Sequence, residues 1–221
     1  MVTAMILAGG VGSRVGAECP KQFIEVFGKP ILAYTIEIYQ KNSQVEAIEI
    51  VCHEDWIDYL KKMIKKYDLS KVRWITQGGK TFQESVINGM KYLKDKLNMD
   101  DIVMIHYGAA PFSSQHIIQD GIEKCKKYGM SVSCTPCFQL MGSNDGNGKS
   151  KQWIDRDKQV QICCPQSFRY GYLVDIYERA ENNGLLTKIE PHTTSLMYAL
   201  GDTVYQSCLL YTSPSPRDGL L

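Results

Sequence analysis

Short apolar runs alternate with helical stripes along most of the chain, and few folds accept that order. Val2–Leu7 reads as a short buried strand, Ile31–Tyr39 as a helix and Ile48–Val51 as a second strand. Trp56, Ile57, Leu60, Met63, Ile64 and Tyr67 recur at helical spacing, and Val72–Ile75 is strand-like again. Val86, Ile87, Met90, Leu93 and Leu97 form a further stripe, Ile102–Ile105 a buried strand, and Ile117, Ile118, Ile122 and Cys125 mark the next helix. Met130–Thr135 is a strand, and a helix from Tyr172 to about Asn182 follows later. Strands and helices in alternation predict an α/β fold, a mostly parallel sheet with helices on both faces. Right-handed crossovers then gather the loops at the strand carboxyl ends on one edge, where ligands bind.

The segment Cys137–Val160 breaks the pattern. It is polar and rich in Gly and Asn, then carries Trp153-Ile154-Asp155. It reads as a protruding β-arm leaving the sheet; the alternative is a plain surface loop. The 221 residues fit one domain with such an excursion. The expected domain is 1–207. Cys208 to Asp218 read CLLYTSPSPRD, which resembles a translated sequencing adapter, and Ser-Pro-Ser-Pro continues neither a helix nor a central strand. Residues 208–221 are therefore set apart as a non-native tail after a strand-like Thr203–Tyr205; a genuine short flexible tail is the alternative.

Charge narrows the partners. Lys+Arg number 25 against 24 Asp+Glu, a net +1 that predicts no bulk attraction to nucleic acid or to an anionic membrane. No apolar run reaches the length of a membrane span, and the amino-terminal residues lack the pattern of a signal peptide. Eight cysteines are scattered without metal spacing, as expected for idle thiols in a reducing cytoplasm.

The strongest local signal follows the first strand. Leu7-Ala8-Gly9-Gly10-Val11-Gly12-Ser13-Arg14 places three glycines within four residues, and Pro20-Lys21-Gln22-Phe23 comes next. Glycines let backbone N–H groups face an anion without a Cβ in the way. Arg14 and Lys21 add two cations, one suited to bidentate phosphate contact and one a compact charge. The segment is neither a Walker loop, since no Gly-Lys-Ser/Thr ends it, nor a good dinucleotide fingerprint, since Val15 stands where a glycine belongs.

LAGGVGSRVGAECPKQF resembles the triphosphate loop of sugar-phosphate nucleotidylyltransferases. It is most similar to the cytidylyltransferases acting on 2-C-methyl-D-erythritol 4-phosphate or D-ribitol 5-phosphate. The resemblance continues through Phe27–Leu32, Gly78-Gly79 with Ser85-Val86 and Asn88-Gly89, His106 and Pro111, Asp155-Arg156, Pro165–Phe168, and Thr194–Met197 with Gly201. It covers essentially Met1 to Ser207 and implies a Rossmann-like nucleotidyltransferase domain. The implied reaction is CMP transfer: a phosphate oxygen of a small polyol phosphate attacks the α-phosphorus of CTP, and pyrophosphate leaves. Arg14 and Lys21 are implied as catalytic, Ala8, Gly9, Gly10 and Gly12 as the triphosphate cradle, and Gly79 and Ser85 as nucleoside contacts. Arg156 is implied as an acceptor-phosphate contact. Ser85 has the alternative of merely capping the helix that carries Val86, and Arg156 that of a solvated arm residue. The family also implies Mg²⁺ and a homodimer that exchanges arms, which would bring Arg156 to the partner's site.

Several positions depart from the family's pattern. Its metal-binding Asp falls on Tyr107 and its neighbouring Arg on Ala110, within His106-Tyr107-Gly108-Ala109-Ala110-Pro111. A phenol is a poor Mg²⁺ ligand, so the metal would be held mainly by triphosphate oxygens and water. Its Arg near the Gly-Gly stretch falls on Phe82, a late acidic residue near His192, an Asp-Thr pair on Gln139-Leu140, and a Gln-Thr pair on Cys163-Cys164. The triphosphate loop is thus kept while the acceptor side changes. A different acceptor is the favoured explanation; a catalytically impaired nucleotide binder, or an enzyme using another base, is the alternative. Methylerythritol phosphate would imply isoprenoid precursors, and ribitol or a similar polyol phosphate a cell-wall or capsular polymer. The altered acceptor side favours the second. His106 is expected to be structural, and His192 is left open between structure and acid–base or ligand chemistry.

Overall fold

The computed structural model describes residues 1–10, 19–189 and 192–208. Its elements in chain order are β1 (Val2–Ala8), β2 (Glu25–Val26), β3 (Lys29–Pro30), α1 (Ile31–Gln40), β4 (Ala47–Cys52), α2 (Ile57–Lys66), β5 (Val72–Gln77), α3 (Phe82–Leu93), β6 (Ile102–Tyr107), α4 (Gln115–Tyr128) and β7 (Met130–Pro136). The arm carries β8 (Met141–Gly142) and β9 (Trp153–Ile154), and β10 (Val160–Arg169), α5 (Tyr170–Asn182), α6 (Thr193–Leu200) and β11 (Gln206–Cys208) follow.

Seven of the strands form one sheet in the order β11-β7-β10-β6-β1-β4-β5. β1 pairs in parallel with β4 and β6, β4 with β5, and β11 with β7. Only β10 runs against its neighbours, β6 and β7. It enters the sheet from the arm rather than from a crossover helix, so no right-handed βαβ connection constrains its direction.

The strand period of two explains why both faces are covered. Val2, Ala4, Ile6 and Ala8 of β1 join one core, with Leu32 and Ile36 of α1, Leu60 of α2 and Ile118 and Ile122 of α4. Met5 joins the opposite core, with Val86 and Leu93 of α3, Leu173 and Ile176 of α5 and Leu196 of α6. The helices are bounded by ordinary caps. Thr81 Oγ1 accepts from Glu84 N at 3.1 Å at the start of α3, and Ser114 Oγ accepts from Ile117 N at 3.3 Å at the start of α4. Gly129 ends α4 in the left-handed region, φ 84°.

Several sequence expectations shift. Trp56 sits in a 3-10 turn ahead of α2, and α5 begins at Tyr170. Leu97 lies past the end of α3. The last strand is Gln206–Cys208, not Thr203–Tyr205, and Cys208, set with the tail from sequence, pairs its backbone with Cys134 of β7. The remaining tail, 209–221, is outside the described residues. The arm does form a small antiparallel hairpin, with Met141 opposite Ile154. Cys19, Cys52, Cys125, Cys134, Cys137, Cys163 and Cys164 are free thiols. Burial pushes the Cys52 and Cys125 thiols up to about 12, which leaves them protonated and inert at neutral pH. Among the described residues no helix is long and apolar enough to cross a membrane.

One buried acid makes the fold pH-sensitive. Glu49 of β4 is fully buried; its Oε1 accepts from the Thr76 hydroxyl at 2.6 Å, and Oε2 has no partner among the described residues. Burial raises its carboxyl from 4.5 to about 8. The folded chain therefore binds a proton that the unfolded chain releases. This contribution to stability is complete below pH 4.5 and is lost as pH rises to about 8. Glu49→Gln reproduces the protonated shape without the titration. The variant's Tm should exceed that of the original chain at pH 8 by about 3 °C or more. The difference should shrink at pH 5, as thermal melts at both pH values would register.

Candidate active site

The carboxyl ends of β1, β5 and β6 meet at a cleft on one sheet edge. It is lined by Gly9 and Gly10 after β1, Lys21 and Gln22, Gly79 to Phe82 and Ser85 at the start of α3, and Tyr107 to Ala109 after β6. This part of the cleft encloses about 210 Å³. It continues into a more open region of about 600 Å³ bounded by Gly9, Gly10, His53, Glu54, Gly78 to Lys80 and Glu84.

Two glycine pairs from different loops touch here. A Cβ added to Gly78 would lie 3.3 Å from the Gly9 Cα, and one added to Gly9 would lie 3.4 Å from Ser85 Oγ. At Gly79 an added Cβ would come within 2.2 Å of Glu84 Cβ, so only glycine fits. The turn is fixed from inside α3: Ser85 Oγ accepts from Gly79 N at 3.1 Å, and Glu84 Oε2 accepts from Lys80 N at 2.6 Å. Ser85 is therefore not the helix cap, a role held by Thr81. Its hydroxyl holds the glycine turn against the cleft.

Gln22 does the same for the first loop. Its side chain is buried, and Nε2 donates to the Ala8 carbonyl at 2.7 Å and to the Gly10 carbonyl at 2.9 Å. Those two bonds pin the chain on either side of Gly9 and set the adjoining Lys21, which is exposed, at the cleft rim. Sequence reasoning quoted Gln22 within Pro-Lys-Gln-Phe but gave it no role. Lys80 was also missed; it lines both parts of the cleft and supplies a cation there.

Ala8, Gly9, Gly10, Lys21, Gly79 and Ser85 are thus gathered at one place. Gly12 and Arg14 fall in 11–18, outside the described residues. Arg156 is elsewhere. It lies in a 3-10 turn at the base of the arm, donates to the Phe138 carbonyl, and lines a separate cavity with Thr135, Gln159 and Gln206.

Three of the departures converge. The Phe82 and His192 rings lie 4.7 Å apart between centroids, Phe82 and Tyr107 5.9 Å, and Tyr107 and His192 6.5 Å. An aromatic cluster occupies the place where a charged set was expected. Tyr107 offers a phenol, and among the described residues no group of three or more His, Cys, Asp or Glu could hold a metal ion. Glu54 and Glu84 are the carboxylates on the described wall of the open part of the cleft, and a Mg²⁺ held there would take its other ligands from triphosphate oxygens and water.

His106 is structural, as expected. It is fully buried with its ring edge against Tyr39 at 5.2 Å. Nδ1 lies 2.9 Å from the Tyr107 carbonyl and Nε2 3.0 Å from Ser113 Oγ, which assigns the proton to Nδ1. Burial lowers the imidazole to about 4, so it is neutral and braces the turn after β6.

The sequence model of the 2-C-methyl-D-erythritol 4-phosphate cytidylyltransferases matches residues 2–201. The chain belongs to that family. A ribitol-5-phosphate cytidylyltransferase of Lacticaseibacillus paracasei is 35% identical over 205 residues, 93% of this chain and 88% of the relative. A 2-C-methyl-D-erythritol 4-phosphate cytidylyltransferase of Clostridium acetobutylicum is 36% identical over 206 residues, 93% of this chain and 87% of that protein. The fold matches the crystal structure of 4-diphosphocytidyl-2C-methyl-D-erythritol synthase from Anaerococcus prevotii with a TM-score of 0.78, at 22% identity, over 100% of this chain and 95% of that one. As a member of the cytidylyltransferase family the chain is a nucleotidyltransferase enzyme, whose reaction is CTP-dependent transfer of CMP to a polyol phosphate.

Proposed function

We propose that the glycine cleft binds CTP, with the triphosphate against Gly9 and Gly10 under Lys21 and the nucleoside against Gly79 and Ser85. The acceptor we assign is a polyol phosphate of the ribitol 5-phosphate class. The contact between the Gly9 and Gly78 turns carries this reading: two backbones without Cβ atoms face one gap with a lysine at its rim. Such an arrangement holds an extended anion beside a ring. Gly12 and Arg14 keep the cradle and cation roles that the resemblance gives them. An acceptor phosphate oxygen attacks the α-phosphorus in line, and pyrophosphate departs. The protein's work is to hold two anions together and to offset charge building on the leaving oxygen.

The working form is a homodimer. The arm exposes Phe138, Leu140 and Trp153, which a second copy would cover. Arg156 stands apart from its own chain's cleft. Arm exchange would take it to the partner's acceptor phosphate. Sedimentation at micromolar concentration should report a dimer; a monomer would remove Arg156 from the reaction.

The purified chain should release pyrophosphate from CTP, in buffer containing MgCl₂, when D-ribitol 5-phosphate is added. Release should be weaker with 2-C-methyl-D-erythritol 4-phosphate. ATP, GTP and UTP should compete poorly with CTP. Silence with both acceptors, together with calorimetric CTP binding, would point to a nucleotide binder that does not turn over.

A further inference from the structure

The turn after β6 is held from behind by α1. Ile31, Thr35 and Tyr39 recur at every fourth position and share one face of that helix. Tyr39 sets its ring against His106, which in turn bonds the Tyr107 carbonyl. Thr35 is fully buried, and its hydroxyl stands 2.9 Å from the Gly108 carbonyl and 3.3 Å from the Ile31 carbonyl of its own helix. A threonine hydroxyl inside a helix ordinarily donates back to the carbonyl four residues earlier. It has one proton to give, and here the shorter contact directs it out of the helix.

Gly108 needs that partner. Its N–H donates to the Leu7 carbonyl at the end of β1 at 2.8 Å, and an added Cβ would lie 2.9 Å from the same oxygen, so the turn is pressed against β1 with its own carbonyl towards α1. No other donor among the described residues reaches the Gly108 carbonyl. A buried carbonyl left alone is costly, and the turn would move to satisfy it. α1 is also tied to the opposite wall. Its first residue, Ile31, donates its N–H to the Ile24 carbonyl at 3.0 Å, immediately after the Lys21–Phe23 turn that presents Lys21 and Gln22. One helix therefore fixes the lysine-bearing wall and the Tyr107–Ala109 wall relative to each other, and both line the cleft.

We infer that Thr35 is a positioning residue for the reaction: its hydroxyl, behind the cleft wall, sets the place of the Tyr107–Ala109 turn against Lys21 and so the alignment of the reacting groups. The inference rests on the proposed use of the cleft. Ser85 and Gln22 hold the two glycine turns without help from Thr35. Loss of the hydroxyl therefore leaves CTP affinity in place and disturbs alignment, and in-line transfer tolerates little displacement.

The test compares Thr35→Val, which keeps the shape and removes the donor, with Thr35→Ser, which keeps the donor, and with Ser131→Ala as a matched control. Ser131 is buried on β7, and its hydroxyl donates to the Gly121 carbonyl at 2.8 Å, the same kind of bond away from the cleft. Pyrophosphate release from CTP with D-ribitol 5-phosphate and thermal melting are measured on each. Thr35→Val should lower kcat about ten- to a hundredfold and keep the KM for CTP within about twofold. Thr35→Ser should restore most of kcat. Ser131→Ala should lose melting temperature, as Thr35→Val does, but keep its kcat. If Thr35→Val does not fold, Thr35→Cys, a weak donor of similar size, should show the same split between kcat and KM. A kcat in the donor-lacking variant no lower than that of Ser131→Ala, or a Thr35→Ser as impaired as Thr35→Val, would overturn the role of Thr35 and leave the proposed reaction standing. An unaltered chain that releases no pyrophosphate would instead bring down the reaction, and the role of Thr35 with it.

Discussion

Lys21→Met should lower kcat about 10²–10³-fold, the range seen when one group stabilising transition-state charge is removed. The lysine stands at the rim of the cleft and is exposed, so its loss leaves the core intact. Its backbone position is set by the neighbouring Gln22, which binds the Ala8 and Gly10 carbonyls and remains in the variant. The melting temperature should therefore change little. A steady-state assay of pyrophosphate release checks this. A rise in KM for CTP with kcat preserved would mean that Lys21 grips the triphosphate equally in the ground and transition states.

Gly79→Ala should be nearly as damaging, by a different route. The new Cβ would sit 2.2 Å from Glu84 Cβ and 3.0 Å from the Glu84 carbonyl carbon, so the turn must move rather than a flexible side-chain tip. Movement breaks the bond from Gly79 N to Ser85 Oγ and shifts the nucleoside wall. A displacement of about 1 Å commonly costs about 10²-fold in kcat/KM. Steady-state pyrophosphate release checks this: an unchanged kcat/KM in Gly79→Ala would show that the turn takes up the Cβ without moving the cleft wall.

Much of the fold was legible because parallel strands buried on both faces read as unbroken apolar runs. Ala47–Cys52 is such a strand, and every residue in it is buried. β10 was not legible. Val160 and Gln161 are exposed and Ile162 and Cys163 half-buried, Cys164 and Pro165 stand at its middle, and neither alternation nor an apolar run marks it. α6 was hidden by its brevity and by two threonines at its start. The nucleotide side of the site was readable because glycines and a lysine are rare in that order, and the structure gathers Gly9, Gly10, Lys21, Gly79 and Ser85. What sequence could not give was contact between distant segments. Phe82, Tyr107 and His192 appeared as three unrelated departures, and only the fold brings their rings within 6.5 Å of one another. Gln22 was equally silent, since a glutamine shows its partners only once it is buried.

The central claim is that CTP occupies the cleft between the Gly9 and Gly78 turns. A backbone amide NMR titration tests it most directly. Addition of CTP should move the Gly9, Gly10, Lys21, Gly79, Lys80 and Ser85 resonances together with one dissociation constant, while Met90, Tyr177 and Leu186 on the far side of α3 stay still. Shifts confined to that far face, or a CTP-saturated protein whose glycine resonances have not moved, would contradict it.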